Sequence, residues 1–239
     1  MRLFEFFERT YIINLPERTD RLREIKEEFA RLGVELTPGK IEIFPASKVE
    51  DAGMFVSRGL HGCFLSHLAV LKHAMKEGLK NVLVIEDDLA MSDRLPLDEA
   101  RLVESLQSRE WSIVYLGNLL HPLGNAPIFF LDCSIPLIGA HFYGVQGSVL
   151  PALVEFFEPI ETRPAGHPDG SGVSPDGVLN MFRERHPELK TLIALPNLGH
   201  QRSTRSDISP KWFDRVPGLR QLANLARYAK RRLKRKRSR

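Results

Sequence analysis

Between residues 11 and 85 short apolar runs alternate with segments of helical periodicity, an order that few architectures accept. Tyr11–Leu15 is apolar and ends at Pro16, and Leu22, Ile25, Phe29 and Leu32 then recur at helical spacing until Gly33 stops the pattern. Ile41–Phe44 is a second apolar run, followed by an irregular stretch to Gly59. Phe64, Leu65, Leu68, Leu71 and Met75 restore the helical period over residues 62–76, and after Gly78 comes the run Val82–Ile85. This alternation predicts an α/β sheet of parallel strands with helices on its faces. Further strands are expected at 112–116, 129–131, 141–145 and 191–195, with helices at 149–157 and 176–185. Pro151 suits a first helical turn. A Pro/Gly-rich loop, Arg163–Pro175, precedes the last helix.

A chain of 239 residues, 43% hydrophobic, can bury a sizeable core and sits near the upper end of one domain. Its net charge of +4 conceals a division. Residues 215–239 hold eleven Lys or Arg and no acid, so residues 1–214 carry 23 bases against all 30 acids. Within the basic end Leu219, Leu222, Ala226, Ala229 and Leu233 recur every three or four residues, the pattern of an amphipathic helix suited to an anionic bilayer surface. The expected organisation is therefore a domain over 1–211 and a membrane-associating tail over 212–239. Tyr228 is the one stacking group after Phe213, so no nucleic-acid partner is expected. Cys63 and Cys133 are far apart and lack metal-ligand spacing, which suggests neither a disulfide framework nor a zinc site. The N-terminal MRLFEFFERTYIINL mixes charges into its apolar residues, and no apolar run reaches about eighteen residues, so neither signal peptide nor spanning helix is expected. The expected location is cytoplasmic, peripherally on the inner face of the cytoplasmic membrane.

The run NVLVIEDD carries a buried strand directly into three carboxylates, Glu86, Asp87 and Asp88. Open α/β sheets bind ligands at the carboxyl ends of their strands, and hard divalent cations bridge carboxylates to substrate phosphates. The plain alternative is a solvated turn whose acids cap the next element.

Five stretches, in order, carry a resemblance to glycosyltransferase family 25, the group of lipopolysaccharide, lipooligosaccharide and collagen galactosyltransferases: YIINLPERTDR, GCFLSH, VLVIEDD, SPDGVL and HQRSTRSDI, spanning Tyr11 to Ile208. The resemblance implies a GT-A fold and inverting transfer of a hexose, usually galactose from UDP-galactose, with Mn2+ or Mg2+. It implies that Glu86–Asp88 stands at the family's DxD-type motif, with Asp88 a direct metal ligand and Glu86 facing ribose or metal. It places Asn14, Arg18 and Arg21 at the nucleotide, and Ser66 and His67 near the donor. Asp176, as the family-matched acid outside the metal motif, becomes the base or acceptor anchor, His200 a third metal ligand, and Gln201 a donor contact. Two departures concern sugar specificity: Gly59–Cys63 lacks a Glu that the family often carries, and Leu71 replaces a frequent Trp.

Each candidate has a structural alternative. Arg18 and Arg21 could be solvated charges, Ser66 and His67 packing residues on an apolar helix, Asp176 a helix-start acid and His200 a loop histidine. Cys63 reads as a small buried residue. Two rival functions also remain: a sugar-nucleotide-binding protein without turnover, and a receiver-like Mg2+-binding module with Asp132 as phosphoacceptor. Against the receiver, Pro96 is expected to interrupt the helix that should follow the acids.

Overall fold

The computed structural model of the chain describes residues 2–202. The chain divides into a compact unit, Met1–Gln201, and a second, Arg202–Arg239, of which only Arg202 is described. The expected amphipathic tail and the boundary at 211/212 lie outside the described residues.

In chain order the elements are α1 (Leu3–Phe6), β1 (Arg9–Asn14), α2 (Thr19–Arg31), β2 (Ile41–Pro45), α3 (Arg58–Lys76), β3 (Asn81–Glu86), β4 (Leu89–Met91), α4 (Leu95–Ser108), β5 (Ile113–Gly117), β6 (Phe129–Asp132), β7 (Phe142–Gln146), α5 (Leu150–Phe157), α6 (Pro175–Arg185), β8 (Thr191–Leu195) and β9 (Gly199–Gln201). Seven strands form one sheet in the order β2-β1-β3-β7-β5-β8-β6, and β4 and β9 form a separate ribbon.

The α/β class holds, but the sheet is mixed. β1 pairs in parallel with β2 and β3, and β5 with β8, whereas β7 runs antiparallel between β3 and β5 and β6 antiparallel on β8. The run that makes β7 is buried on both faces, and such a run carries no mark of its direction.

Side chains alternate across the sheet as the pleat requires. Tyr11, Ile13, Val82, Val84, Tyr115 and Tyr143 join Phe64, Leu71, Phe157 and Phe182 in one core, beneath α3, α5 and α6. Ile12, Leu83, Ile85, Val114 and Phe142 join Phe4, Phe29, Leu102 and Leu106 in the other, beneath α1, α2 and α4. Helix α4 corrects the expectation that Pro96 interrupts a helix. Pro96 lies in its first turn, where the missing N–H costs nothing, and Leu102, Val103 and Leu106 bury one face.

The receiver reading fails on topology. Asp132 ends the edge strand β6, with β8, β5 and β7 between it and β3, and pairs with Arg109. Among the described residues no helix is long and apolar enough to cross a membrane.

Candidate active site

Strand β3 delivers Glu86 at its end, and Asp87 and Asp88 make the turn into β4. β1 runs beside it in register, Ile13 opposite Glu86, which sets Asn14 and the following segment next to the carboxylates. Asn14 Nδ2 donates to Asp87 Oδ2 at 2.7 Å. Arg21, on the first turn of α2, donates from Nη1 to Asp87 Oδ1 at 2.8 Å, and its Nη2 stands 3.6 Å from Asp88 Oδ2. Burial pushes the Asp87 carboxyl up, and Arg21 and Asn14 offset this only in part. Burial also works against the Arg21 guanidinium, but Asp88 and Asp87 hold its pKa above the ordinary value. Arg18 is turned to Asp20, which it grips through Nε and Nη2 at 2.9 and 3.0 Å.

Glu86 faces different partners. Cys63 and His67 sit one turn apart on α3 and therefore share a face. His67 is fully buried; its Nδ1 is 3.0 Å from Tyr143 Oη, and its Nε2 points at Glu86 Oε1 from 3.4 Å without making a hydrogen bond. On the other side Glu86 Oε2 accepts from Gln201 Nε2 at 2.9 Å. The β4–β9 ribbon makes this contact possible, because it pairs Leu89 with Gln201 and Ala90 with His200. Burial favours a neutral Glu86, yet His67, the charge of His141 and the Gln201 amide outweigh it and hold the carboxyl below its usual range. Ser66 points elsewhere: it donates to Gly62 O at 2.6 Å and accepts from Ser47 N at 2.8 Å, fastening α3 to the segment after β2.

Asp176 opens α6, and its Oδ2 accepts from Gly139 N at 3.0 Å. Gly139 is two residues from His141, whose carbonyl accepts from Glu86 N at 3.0 Å, so the start of the last helix is tied to the segment that flanks the β3 carboxylates. Burial, and then those acids, push the Cys63 thiol up. Burial likewise pushes His141 down, with neither ring nitrogen in a side-chain hydrogen bond. Leu119, Leu120, Ile135 and Ile138 are 44–55% exposed on the segment that reaches Gly139.

The sequence therefore singled out Asn14, Arg21, His67, Glu86, Asp87, Asp88 and Gln201, which the fold brings together, while Arg18 and Ser66 are turned to local partners. His200 lies in the ribbon beside Ala90. Cys63 and His141 were missed as site residues. A Cys-x-x-x-His spacing on an expected helix was the available signal for the first; His141 belongs to no motif.

Residues 7–119 match the model of glycosyltransferase family 25 (LPS biosynthesis protein). Among curated proteins, procollagen galactosyltransferase 2 of Homo sapiens is 30% identical over 129 residues, 46% of this chain and 21% of that protein. Inactive glycosyltransferase 25 family member 3 of Mus musculus is 34% identical over 88 residues, 36% of this chain and 14% of that protein. The chain thus spans about a fifth or less of the length of these relatives. A solved glycosyltransferase involved in glycosylation of the major capsid of PBCV-1 is 12% identical, with a TM-score of 0.43 over 77% of this chain and 81% of that one. The likeness rests on sequence: over residues 7–119, which hold the β1 loop, Cys63, His67 and the three carboxylates, the chain is similar to glycosyltransferase family 25.

Proposed function

We propose that the protein is an inverting glycosyltransferase with a GT-A fold that moves a hexose, galactose from UDP-galactose being the first candidate, onto a glycan acceptor. The observation that carries this reading is that Asp176, which lies outside the matched segment, accepts from Gly139 N at 3.0 Å, two residues before His141, whose carbonyl accepts from the backbone N–H of the family-matched Glu86 at 3.0 Å. Asn14 and Arg21 border the carboxylates where the nucleotide would lie, and Arg21 is the fork suited to its phosphates. Asp176 takes the proton of the acceptor hydroxyl as its oxygen attacks the anomeric carbon and the nucleotide diphosphate leaves. Gly139 N–H holds Oδ2 and so aims the carboxyl.

Asp88, Glu86 and His200 are the residues that would hold Mn2+ or Mg2+ through two carboxylates and, for Mn2+, an imidazole, although their ligand atoms do not gather within 4.8 Å of one another and would have to close on the ion. When bound, it supplies counter-charge to the leaving diphosphate. The exposed apolar side chains beside Gly139 suit an acceptor that brings apolar surface with it, such as a lipid-linked glycan of the lipopolysaccharide type. Placement of the enzyme at the cytoplasmic face of an anionic membrane, through residues 212–239, is supported by composition.

A second reading, donor binding without turnover, is favoured by one finding: the similarity to an inactive family member is as high as that to a galactosyltransferase. One screen separates the two. UDP-, GDP- and CMP-sugars are incubated with the full chain, with and without Mn2+, and nucleotide release and binding are both measured. Release of one nucleotide, lost at least about a hundredfold in Asp176→Asn with donor binding retained, is expected. Binding without release supports the inactive reading, and no binding of any donor removes both.

A further inference from the structure

The ligand set suggested by sequence is not the one that the fold closes. Among the described residues one trio of His, Cys, Asp or Glu places its ligand atoms within 4.8 Å of one another, and it is Cys63, His67 and Glu86, without Asp88 or His200. The geometry points to a zinc-type site here, in which Cys63 Sγ, His67 Nε2 and a Glu86 oxygen bind one borderline-soft divalent ion and leave a fourth position to water.

Four features support the assignment. First, the imidazole is fully buried and its Nε2 stands 3.4 Å from Glu86 Oε1, facing the carboxylate as a shared ligand pair would. Second, its other nitrogen is already fixed. Nδ1 lies 3.0 Å from Tyr143 Oη, and donation from Nδ1–H to that oxygen leaves the Nε2 lone pair directed at Cys63 and Glu86, the outer-shell arrangement that orients metal-bound histidines. Third, the distances suit the ion. Zn–N and Zn–S bonds of about 2.0–2.3 Å give tetrahedral edges of about 3.3–3.8 Å. The His67–Glu86 separation of 3.4 Å is already such an edge, and the remaining pairs, within 4.8 Å, need to close by about 1.5 Å at most. Fourth, charge favours a cation at this end. Arg21 serves Asp87 and Asp88, whereas among the described residues no Lys or Arg lies within ion-pair distance of Glu86. A thiolate and a carboxylate would neutralise a divalent ion fully, and the thiol proton leaves to water on binding. Sulfur selects against Mg2+ and towards Zn2+, so this site differs in ligand chemistry as well as in position from one built on Asp88 and His200.

Cobalt substitution tests the proposal in the full chain without any sugar substrate. The chain contains two cysteines, so Cys133→Ser leaves Cys63 as its sole thiol. Cys133→Ser protein stripped of metal and titrated with Co2+ is expected to bind one equivalent with a near-ultraviolet thiolate-to-cobalt charge-transfer band and the intense visible bands of a tetrahedral site. Zn2+ should displace both. Cys63→Ser should lose the charge-transfer band, and Tyr143→Phe should keep it while weakening zinc binding about tenfold or more. Cobalt bound without the charge-transfer band places the ion on oxygen and imidazole ligands and overturns the proposal while leaving sugar transfer intact. Absence of any bound cobalt overturns it too. Failure of the donor screen with a positive cobalt spectrum would instead remove the transferase reading and keep the metal site.

Discussion

Arg21 is the residue on which the carboxylate turn depends most. It touches Asp87 and Asp88 while its own side chain is 14% exposed and theirs 8% and 11%. Removing one partner of a pair so far out of water costs several times what a surface pair is worth. Arg21→Ala is therefore expected to lower unfolding free energy by about 3 kcal/mol, read from urea midpoints at neutral pH. A loss under about 0.5 kcal/mol would mean that the pair behaves as a solvated one. At this scale the sequence was legible wherever a motif named the residue and the neighbouring strand supplied its partner, as for Asn14 and Asp87. It was less so where one residue type serves two ends. Arg18 and Arg21 lie three positions apart with the same chemistry, and only the fold turns one to Asp20 and the other to the site. Cys63 was hidden because a cysteine one turn from a histidine on an apolar helix has the same spacing as two ordinary packing residues.

Among elements, the strands of the main sheet and most helices follow directly from apolar periodicity, and their bounds move by a residue or two, except that α3 starts at Arg58, four residues before the expected helix over 62–76. What periodicity does not encode is direction and partner. The β7 run is apolar on both faces and would read alike in a parallel or an antiparallel place. β4 and β9 have three residues each, too short for a period to show. The loop before α6 illustrates an element defined by contact instead of pattern. Ser171 Oγ donates to Arg163 O at 2.6 Å, Arg163 Nη1 to Asp169 O at 2.6 Å, and Gly172 at φ +59° lies so close to the segment before α3 that a Cβ would stand 2.0 Å from Met54 O. A side chain there meets both the left-handed backbone and a carbonyl that cannot swing away. Gly172→Ala should cost about 1–3 kcal/mol locally. Limited proteolysis should cut within residues 163–174 faster in the variant while the global melt moves less. Equal cleavage rates would show that the loop is held by its other bonds.

For the molecule as a whole, charge separates the chain into an acidic stretch and a basic end that has no acid after Asp214. On the proposed membrane reading, each base near an anionic surface would add up to about 1 kcal/mol, and the recurring leucines of the sequence would add apolar contact after salt had screened part of that attraction. A chain ending at Lys211 is expected to stay folded and to turn over a soluble acceptor, yet to lose sedimentation with phosphatidylglycerol vesicles. Equal sedimentation with and without residues 212–239 would remove the membrane assignment. The bond between Gln201 and Glu86 joins positions 115 apart, and the β9 strand that carries it ends the compact unit. During synthesis β3 and its acids emerge early, and they remain without this bond until the ribosome has released residue 201. Closing so long a loop is slow compared with local helix formation. A chain abandoned partway would thus contain every acid of the β3 turn and still lack the finished pocket, so translation itself sets when the site can first be built.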